Sequence, residues 1–308
     1  MLKVLAKIII SGLILAVLVH EVQWDSLKVY FQSLNLSYFL LALLVQLFSA
    51  LIAAKRWSLI MDTLGFVAPL KFYIKSYFKG LMFNQVLPSS IGGDAYRVIE
   101  VHQLKQGKKD ALFSVLVDRI YGLIGLILIT LFSMPWVYRI LPLPIFKIVA
   151  FVSLLILFGT VVVLCLNMSV FGFLRKIIGL GLILDLAKQL LRSFHTSQDL
   201  LIKIILAILP NLLTVYGFYL LTKGLPISVS FSDYVVIIPA VLLFTMLPIS
   251  FAGWGIREGA MVYFGAMIGL LKPEALAISL LFGFILVLSG IPGLYLYLFS
   301  KHKNSPSS

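Results

Sequence analysis

Charged residues are clumped along this sequence, and the clumping leaves six long uncharged runs: Val29–Ala54, Ile120–Tyr138, Ile148–Leu174, Ile204–Thr222, Tyr234–Ile256 and Ala275–Ser300. Each reaches or exceeds the roughly 18–20 residues that a helix needs to cross hydrocarbon. A shorter apolar segment, Ile8–Val19, follows Lys3 and Lys7 and has the length of a secretory h-region. No small-x-small cleavage site follows it, whereas His20, Glu21 and Trp24 suit an interfacial anchor, so it reads as the first spanning helix. The pattern predicts spans at about 5–20, 35–54, 111–131, 145–166, 203–221 and 275–299, with two further hydrophobic stretches near 72–92 and 233–271.

Composition sharpens this picture. Of the 308 residues, 61% are apolar and 12% charged, and the mean hydropathy of +1.08 excludes an ordinary soluble enzyme, because water is not the main solvent of such a chain. A net charge of +13 would suit a nucleic-acid partner, but the pattern leaves no soluble basic domain to present a groove or recognition helix, so none is expected. The one cysteine, Cys165, lies inside an uncharged run, where it reads as packing filler or a lipid-facing residue.

Topology accounts for the charge better. With the N-terminus cytoplasmic and each of the two extra stretches entering and leaving on one side, only Lys28, Arg139, Lys147, Lys223 and Lys272 fall outside. Arg119 and Arg257 fall near membrane depth, and the other basic residues collect on the cytoplasmic flanks, as the positive-inside rule requires. The expectation is a multi-pass protein of the cytoplasmic membrane with both termini inside. The stretches 97–110 and 167–203 carry much of that charge, as topological determinants or as contacts to anionic lipid.

The two extra stretches resemble each other. Leu87-Pro88-Ser89-Ser90-Ile91-Gly92-Gly93-Asp94-Ala95-Tyr96-Arg97 and Leu247-Pro248-Ile249-Ser250-Phe251-Ala252-Gly253-Trp254-Gly255-Ile256-Arg257 share Leu, Pro, Ser, Gly and Arg at identical offsets. Proline removes a backbone donor and glycine admits angles other residues avoid, so Pro88, Gly92 and Gly93 in one string, and Pro248, Gly253 and Gly255 in the other, should break a helix. Broken backbone at membrane depth survives only where protein or water satisfies it. Two kinked membrane helices would carry the same prolines and glycines, but an arginine after each break is costly in a mere kink. The fold class expected is therefore an all-α polytopic helical bundle with two Pro/Gly-broken re-entrant hairpins in an inverted repeat. Residues 1–308 would form a single transmembrane domain with halves at about 1–131 and 145–299, and 300–308 a disordered cytoplasmic tail.

Polar residues cluster at these breaks. Asn84, Asp94 and Arg97 flank the first, with Gln85 beside them, and Arg257 and Glu258 follow the second. Arginine offers a planar fork matched to phosphate oxygens, and a helix N-terminus freed by a break aims N–H groups at the same anion. Arg97, Arg257, Asn84, Asp94 and Glu258 are thus candidate headgroup-binding residues, with Asp118, Arg119, Ser90 and Ser250 in support. Asp118 and Arg119 either face the bundle interior or snorkel to its edge. Asn211 and Tyr216 are weaker candidates for a cavity wall, since helix packing explains them as well. His20, His102, His195 and His302 are scattered, and no His-Glu-x-x-His or Gly-rich loop with lysine occurs, so no metal or nucleotide cofactor is expected.

Three motifs carry a resemblance: Asn84-Gln85-Val86-Leu87-Pro88-Ser89-Ser90-Ile91-Gly92-Gly93-Asp94-Ala95-Tyr96-Arg97, then Asp118-Arg119-Ile120-Tyr121-Gly122-Leu123, then Pro248-Ile249-Ser250-Phe251-Ala252-Gly253-Trp254-Gly255-Ile256-Arg257-Glu258. In order and over nearly the whole chain, they resemble the flippase-like transmembrane domain of lysylphosphatidylglycerol synthases. In two-part members of that family a soluble aminoacyltransferase domain using charged tRNA follows, and the membrane part moves the modified lipid between leaflets. The sequence ends at Ser308 without such a domain, so lysyl transfer is not expected of this chain. The resemblance implies a lipid flippase or transporter for an anionic or phosphate-bearing lipid: a phospholipid, an aminoacyl-phospholipid or a polyprenyl-linked glycolipid. Two other classes stay open: a membrane-embedded transferase with Asp94 or Asp118 as base, and a non-transporting subunit that docks a lipid or glycan synthase.

Overall fold

In the computed structural model, residues 2–22, 24–87, 92–104, 107–136, 151, 154, 180–246 and 250–301 are described. All of the expected span at 145–166 but 151 and 154 lies outside them, as do Cys165, His302, the tail beyond 301, Pro88, Ser90 and Pro248. The described chain is helical: α1 Leu2–Val22, α2 Trp24–Gln32, α3 Leu36–Thr63, α4 Leu70–Val86, α5 Gly92–His102, α6 Lys108–Phe132, α7 Leu180–Arg192, α8 Ser197–Lys223, α9 Phe231–Thr245, α10 Ile256–Ala266, α11 Lys272–Ser289 and α12 Ile291–Lys301. Among the described residues, four helices are long and apolar enough to cross a membrane: Leu36–Thr63, Lys108–Phe132, Ser197–Lys223 and Lys272–Phe299; α1 and α2, which meet at 87°, make a fifth by length and composition if they act as one span. The chain is a multi-pass membrane protein.

Local chemistry sets the helix ends. Asn35 caps α3 by accepting from the Ser37 amide at 3.0 Å, Thr196 caps α8, and Ser230 with Asp233 forms a reciprocal capping box on α9, so orphan N–H groups find partners. At the far end of α3, Gly65 takes φ +85°. The Gly65 amide then donates to Asp62 and that of Phe66 to Met61, the paired closure that a left-handed glycine allows.

The largest apolar core lies among α8, α9, α10 and α11, where Phe218 stacks on Phe282 with ring centroids 4.0 Å apart. Elsewhere small residues bring backbones together. A Cβ on Gly125 of α6 would sit 2.3 Å from the Ala207 carbonyl of α8, and one on Gly93 of α5 would sit 2.1 Å from the Gly80 carbonyl of α4, so only glycine fits at either contact.

One boundary differs from expectation in an informative way. The second span was expected to stop at 54, before Lys55 and Arg56, yet α3 continues to Thr63 because Arg56 is buried and paired within the bundle. A charge read as a span terminus is instead an interior residue.

Candidate functional site

Between α3, α4, α5, α6, α8, α9 and α11 lies a cavity of about 350 Å³. Gln46, Ser49, Ala50, Ala53 and Arg56 on one face of α3 form its long wall, their spacing of three to four residues being that of a helix face. Ten residues separate the ends of that wall, about 15 Å at the α-helical rise.

One end of the cavity is charged. Arg56 Nε donates to Asp118 Oδ1 at 2.9 Å, and Arg97 Nη2 to Asp118 Oδ2 at 2.7 Å. Arg97 Nη1 donates to Asp94 Oδ1 at 3.2 Å, and Arg119 Nε to Asp94 Oδ2. The result is an unbroken chain, Arg56–Asp118–Arg97–Asp94–Arg119, that ties α3, α5 and α6 together. Three arginines against two aspartates leave this wall with one excess positive charge. The Arg97 guanidinium lies against two rings, 3.9 Å from the Trp57 centroid and 4.9 Å from that of Tyr77, and its Nε has no hydrogen bond among the described residues. Arg97 is thus buried, whereas the Arg119 side chain keeps 28% of its surface open, and no hydrogen bond among the described residues engages either Nη of Arg56. Asn84 closes the N-terminus of α5, its Oδ1 accepting from the Gly93 amide at 2.8 Å.

The second break is built differently. Arg257 Nη2 donates to Glu258 Oε1 at 2.6 Å, Ser279 donates to the same oxygen at 3.1 Å, and Glu258 Oε2 accepts the Gly255 amide at 2.6 Å. Glu258 therefore caps α10 and neutralises Arg257 at once. The Arg257 and Glu258 side chains are 3% and 0% exposed, and neither lines the cavity. Trp254 covers the guanidinium at 4.8 Å, and Gly283 makes room: a Cβ there would lie 2.3 Å from Arg257 Nη2. The loop leading in carries Ala252, Gly253 and Gly255 with positive φ. Its Phe251 amide donates to Ser11 of α1 at 2.8 Å, and the Ser250 hydroxyl is buried without a partner among the described residues.

Of the residues singled out from sequence, the cavity wall brings together Asn84, Gly93, Asp94, Arg97, Asp118, Arg119 and Asn211. Arg257, Glu258, Gly253, Gly255 and Ser250 belong to the second break, and Tyr216 sits on an exposed face. Arg56, which sequence reasoning passed over, joins the wall; the small residues at 49, 50 and 53 on its own face were the available signal. Also unforeseen were buried Lys79, paired with Glu100 at 2.6 Å, and Lys203, whose three donors reach Thr63, Ser193 and Asp199. Chemically, the first site is suited to holding an anion: both oxygens of Asp94 and of Asp118 are engaged by arginine, so proton abstraction by either would first have to break an ion pair.

Spanning helices enclosing a charged cavity define this chain as a polytopic helical membrane protein whose polar chemistry lies inside the bundle. The match to the lysylphosphatidylglycerol synthase TM region covers residues 4–293, and the chain belongs to that family. It is also similar to the UPF0104 membrane protein MJ1595 of Methanocaldococcus jannaschii, at 29% identity over 127 residues. That match covers 41% of this chain and 38% of the relative, well under two thirds of the relative's length.

Proposed function

We propose that this protein binds the anionic, phosphate-bearing headgroup of a membrane lipid in the cavity between α3, α5 and α6 and moves that lipid between leaflets, as a flippase or lipid transporter. The observation that carries this reading is the cavity wall itself, with three arginines and two aspartates in a space of about 350 Å³. Excess charge among spanning helices is expensive and marks function rather than packing. The volume suits a headgroup. Arg119 and the Nη groups of Arg56, unengaged among the described residues, are the forks that meet phosphate oxygens; Arg97, held by both aspartates, fixes their spacing, and Asn84 caps α5 through the Gly93 amide. Arg257 and Glu258 act at a distance by holding the second break shut.

The order of helix lengths supports an inverted repeat. α3 to α6 run 28, 17, 11 and 25 residues, and α8 to α11 run 27, 15, 11 and 18. In this reading α4–α5 and α9–α10 are re-entrant hairpins entering from opposite faces, with the lipid site near the repeat interface. The positive-inside bias puts both termini in the cytoplasm.

The test is lipid mass spectrometry of purified protein together with transbilayer movement of a labelled anionic phospholipid in vesicles. Wild type should retain an anionic lipid and accelerate its movement, and the double variant Arg56→Gln/Arg119→Gln should lose about tenfold or more of the bound lipid, given the strength of charge-assisted hydrogen bonds. Identical lipid profiles and no protein-dependent movement would overturn the proposal.

A further inference from the structure

We infer that the membrane potential drives this protein through its own wall charge: the cavity crosses the field as a neutral unit when a singly charged anionic head is bound and as a positive one when empty, so voltage acts on the return of the empty site. This rests on the headgroup reading above and goes beyond it by naming the energy source and the step that uses it.

Among the described residues, buried charges balance one to one everywhere but at this wall. Lys79 meets Glu100 at 2.6 Å, Lys203 meets Asp199 at 2.7 Å and Arg257 meets Glu258 at 2.6 Å, and none of these pairs presents a net charge to the field. The chain Arg56–Asp118–Arg97–Asp94–Arg119 alone holds an odd number of charges. No acid elsewhere cancels the surplus: all 12 Asp and Glu of the sequence are among the described residues, and only Asp94 and Asp118 reach this wall. Both oxygens of each aspartate accept from arginine, so both are carboxylates, and arginine keeps its charge in proteins. The surplus is therefore fixed, and no acid is left on the wall to take up a coupling proton or cation.

Depth makes this charge sensitive to voltage. Asp118 lies ten residues, about 15 Å, along the 25-residue α6, and Asp94 stands in the first turn of α5, just after the first break. The odd charge thus sits well inside the span across which the potential falls. A phosphodiester head brings one negative charge and cancels it, so the loaded cavity changes sides without moving net charge. The empty cavity then carries one positive charge back, and a full cycle transfers one negative charge in the direction of the lipid. Under an interior-negative potential the empty site is drawn to the cytoplasmic face, where it meets lipid of the inner leaflet, and net movement runs outward. One charge crossing the whole potential set by a tenfold K+ gradient is biased about tenfold, and one crossing half of it about threefold.

The experiment compares two rates for the full chain in phosphatidylcholine vesicles, with a tenfold K+ gradient of either sign set by valinomycin. Net entry is followed with labelled phosphatidylglycerol in the outer leaflet alone; exchange is followed with unlabelled phosphatidylglycerol saturating both leaflets, so that no empty site has to return. An outside-negative potential should speed net entry about three- to tenfold over an outside-positive one, whichever way the protein is inserted, and exchange should be the same under both. Asp94→Asn raises the empty wall to two positive charges and leaves the loaded cavity with one, so its exchange should become voltage-dependent; the two wild-type rates decide the matter even if that variant misfolds. Exchange that follows the potential as steeply as net entry, net entry that ignores it, or indifferent exchange in a folded Asp94→Asn would overturn this inference and leave the headgroup reading standing. Absence of any protein-dependent movement would overturn the headgroup reading and this inference with it.

Discussion

The two breaks start from nearly the same residues and end in opposite electrostatic states. After the first, Arg97 shares two aspartates with Arg56 and Arg119, and the surplus positive charge borders a cavity. After the second, Arg257 meets the carboxylate of the very next residue, which also caps its own helix, and the pair is sealed from the cavity. The arginine of each motif thus sits in a different setting, one on the cavity wall and one buried away from it. The two differ in where the counter-charge comes from: Arg257 takes it from the next residue, whereas Arg97 shares Asp94 of its own helix and Asp118 of α6 with Arg119 and Arg56.

That contrast can be broken most forcefully at Asp118. Asp118→Asn strands two buried arginines, and removal of one partner from a buried ion network costs about 3–5 kcal/mol. The expected outcome is a large fall in thermal stability and loss of bound lipid together, measured by melting in detergent and by lipid mass spectrometry. Glu258→Gln should destabilise by about 3 kcal/mol, but the fraction that folds should keep its lipid complement. The compensating pair Arg257→Leu/Glu258→Leu should recover much of that loss, since an apolar replacement of a buried pair is often tolerated, while Asp118→Leu/Arg97→Leu should not recover lipid binding. Recovery in both cases would erase the distinction between the breaks. Gly93→Ala presses a methyl against the Gly80 carbonyl and should cost about 1–3 kcal/mol through overpacking, with α4 and α5 forced apart and lipid retention reduced. Smallest is Asn84→Ala, a lost cap worth about 1 kcal/mol, which a shift in melting temperature of the purified protein should register.

Much of the bundle was legible because hydrocarbon imposes a simple rule on sequence: long runs without charge. α6, α8 and the span that begins with α11 lie where those runs lie. The same rule hid Arg56, because a basic residue after an apolar run is ordinarily the interface, and only its pairing with Asp118, sixty-two positions away, keeps it inside. The grouping of Asp94, Arg97, Asp118 and Arg119 was visible as polar residues at unwelcome depth, yet their division into one charged wall, apart from Arg257 and Glu258, depends on helix packing that periodicity does not encode. Most of residues 137–179, and with them most of the expected span at 145–166, lies outside the described residues.

The eleven residues of α5 include Asp94, Arg97 and Glu100, a density of charge that hydrocarbon does not accept from an isolated helix. Their counter-charges are supplied by Lys79 of α4 and by Asp118 and Arg119 of α6, and Arg56 of α3 completes the set. The charges of α5 are therefore balanced only once α6, which follows it in the chain, is packed against it, so this helix depends for its burial on sequence still to be synthesised when it emerges.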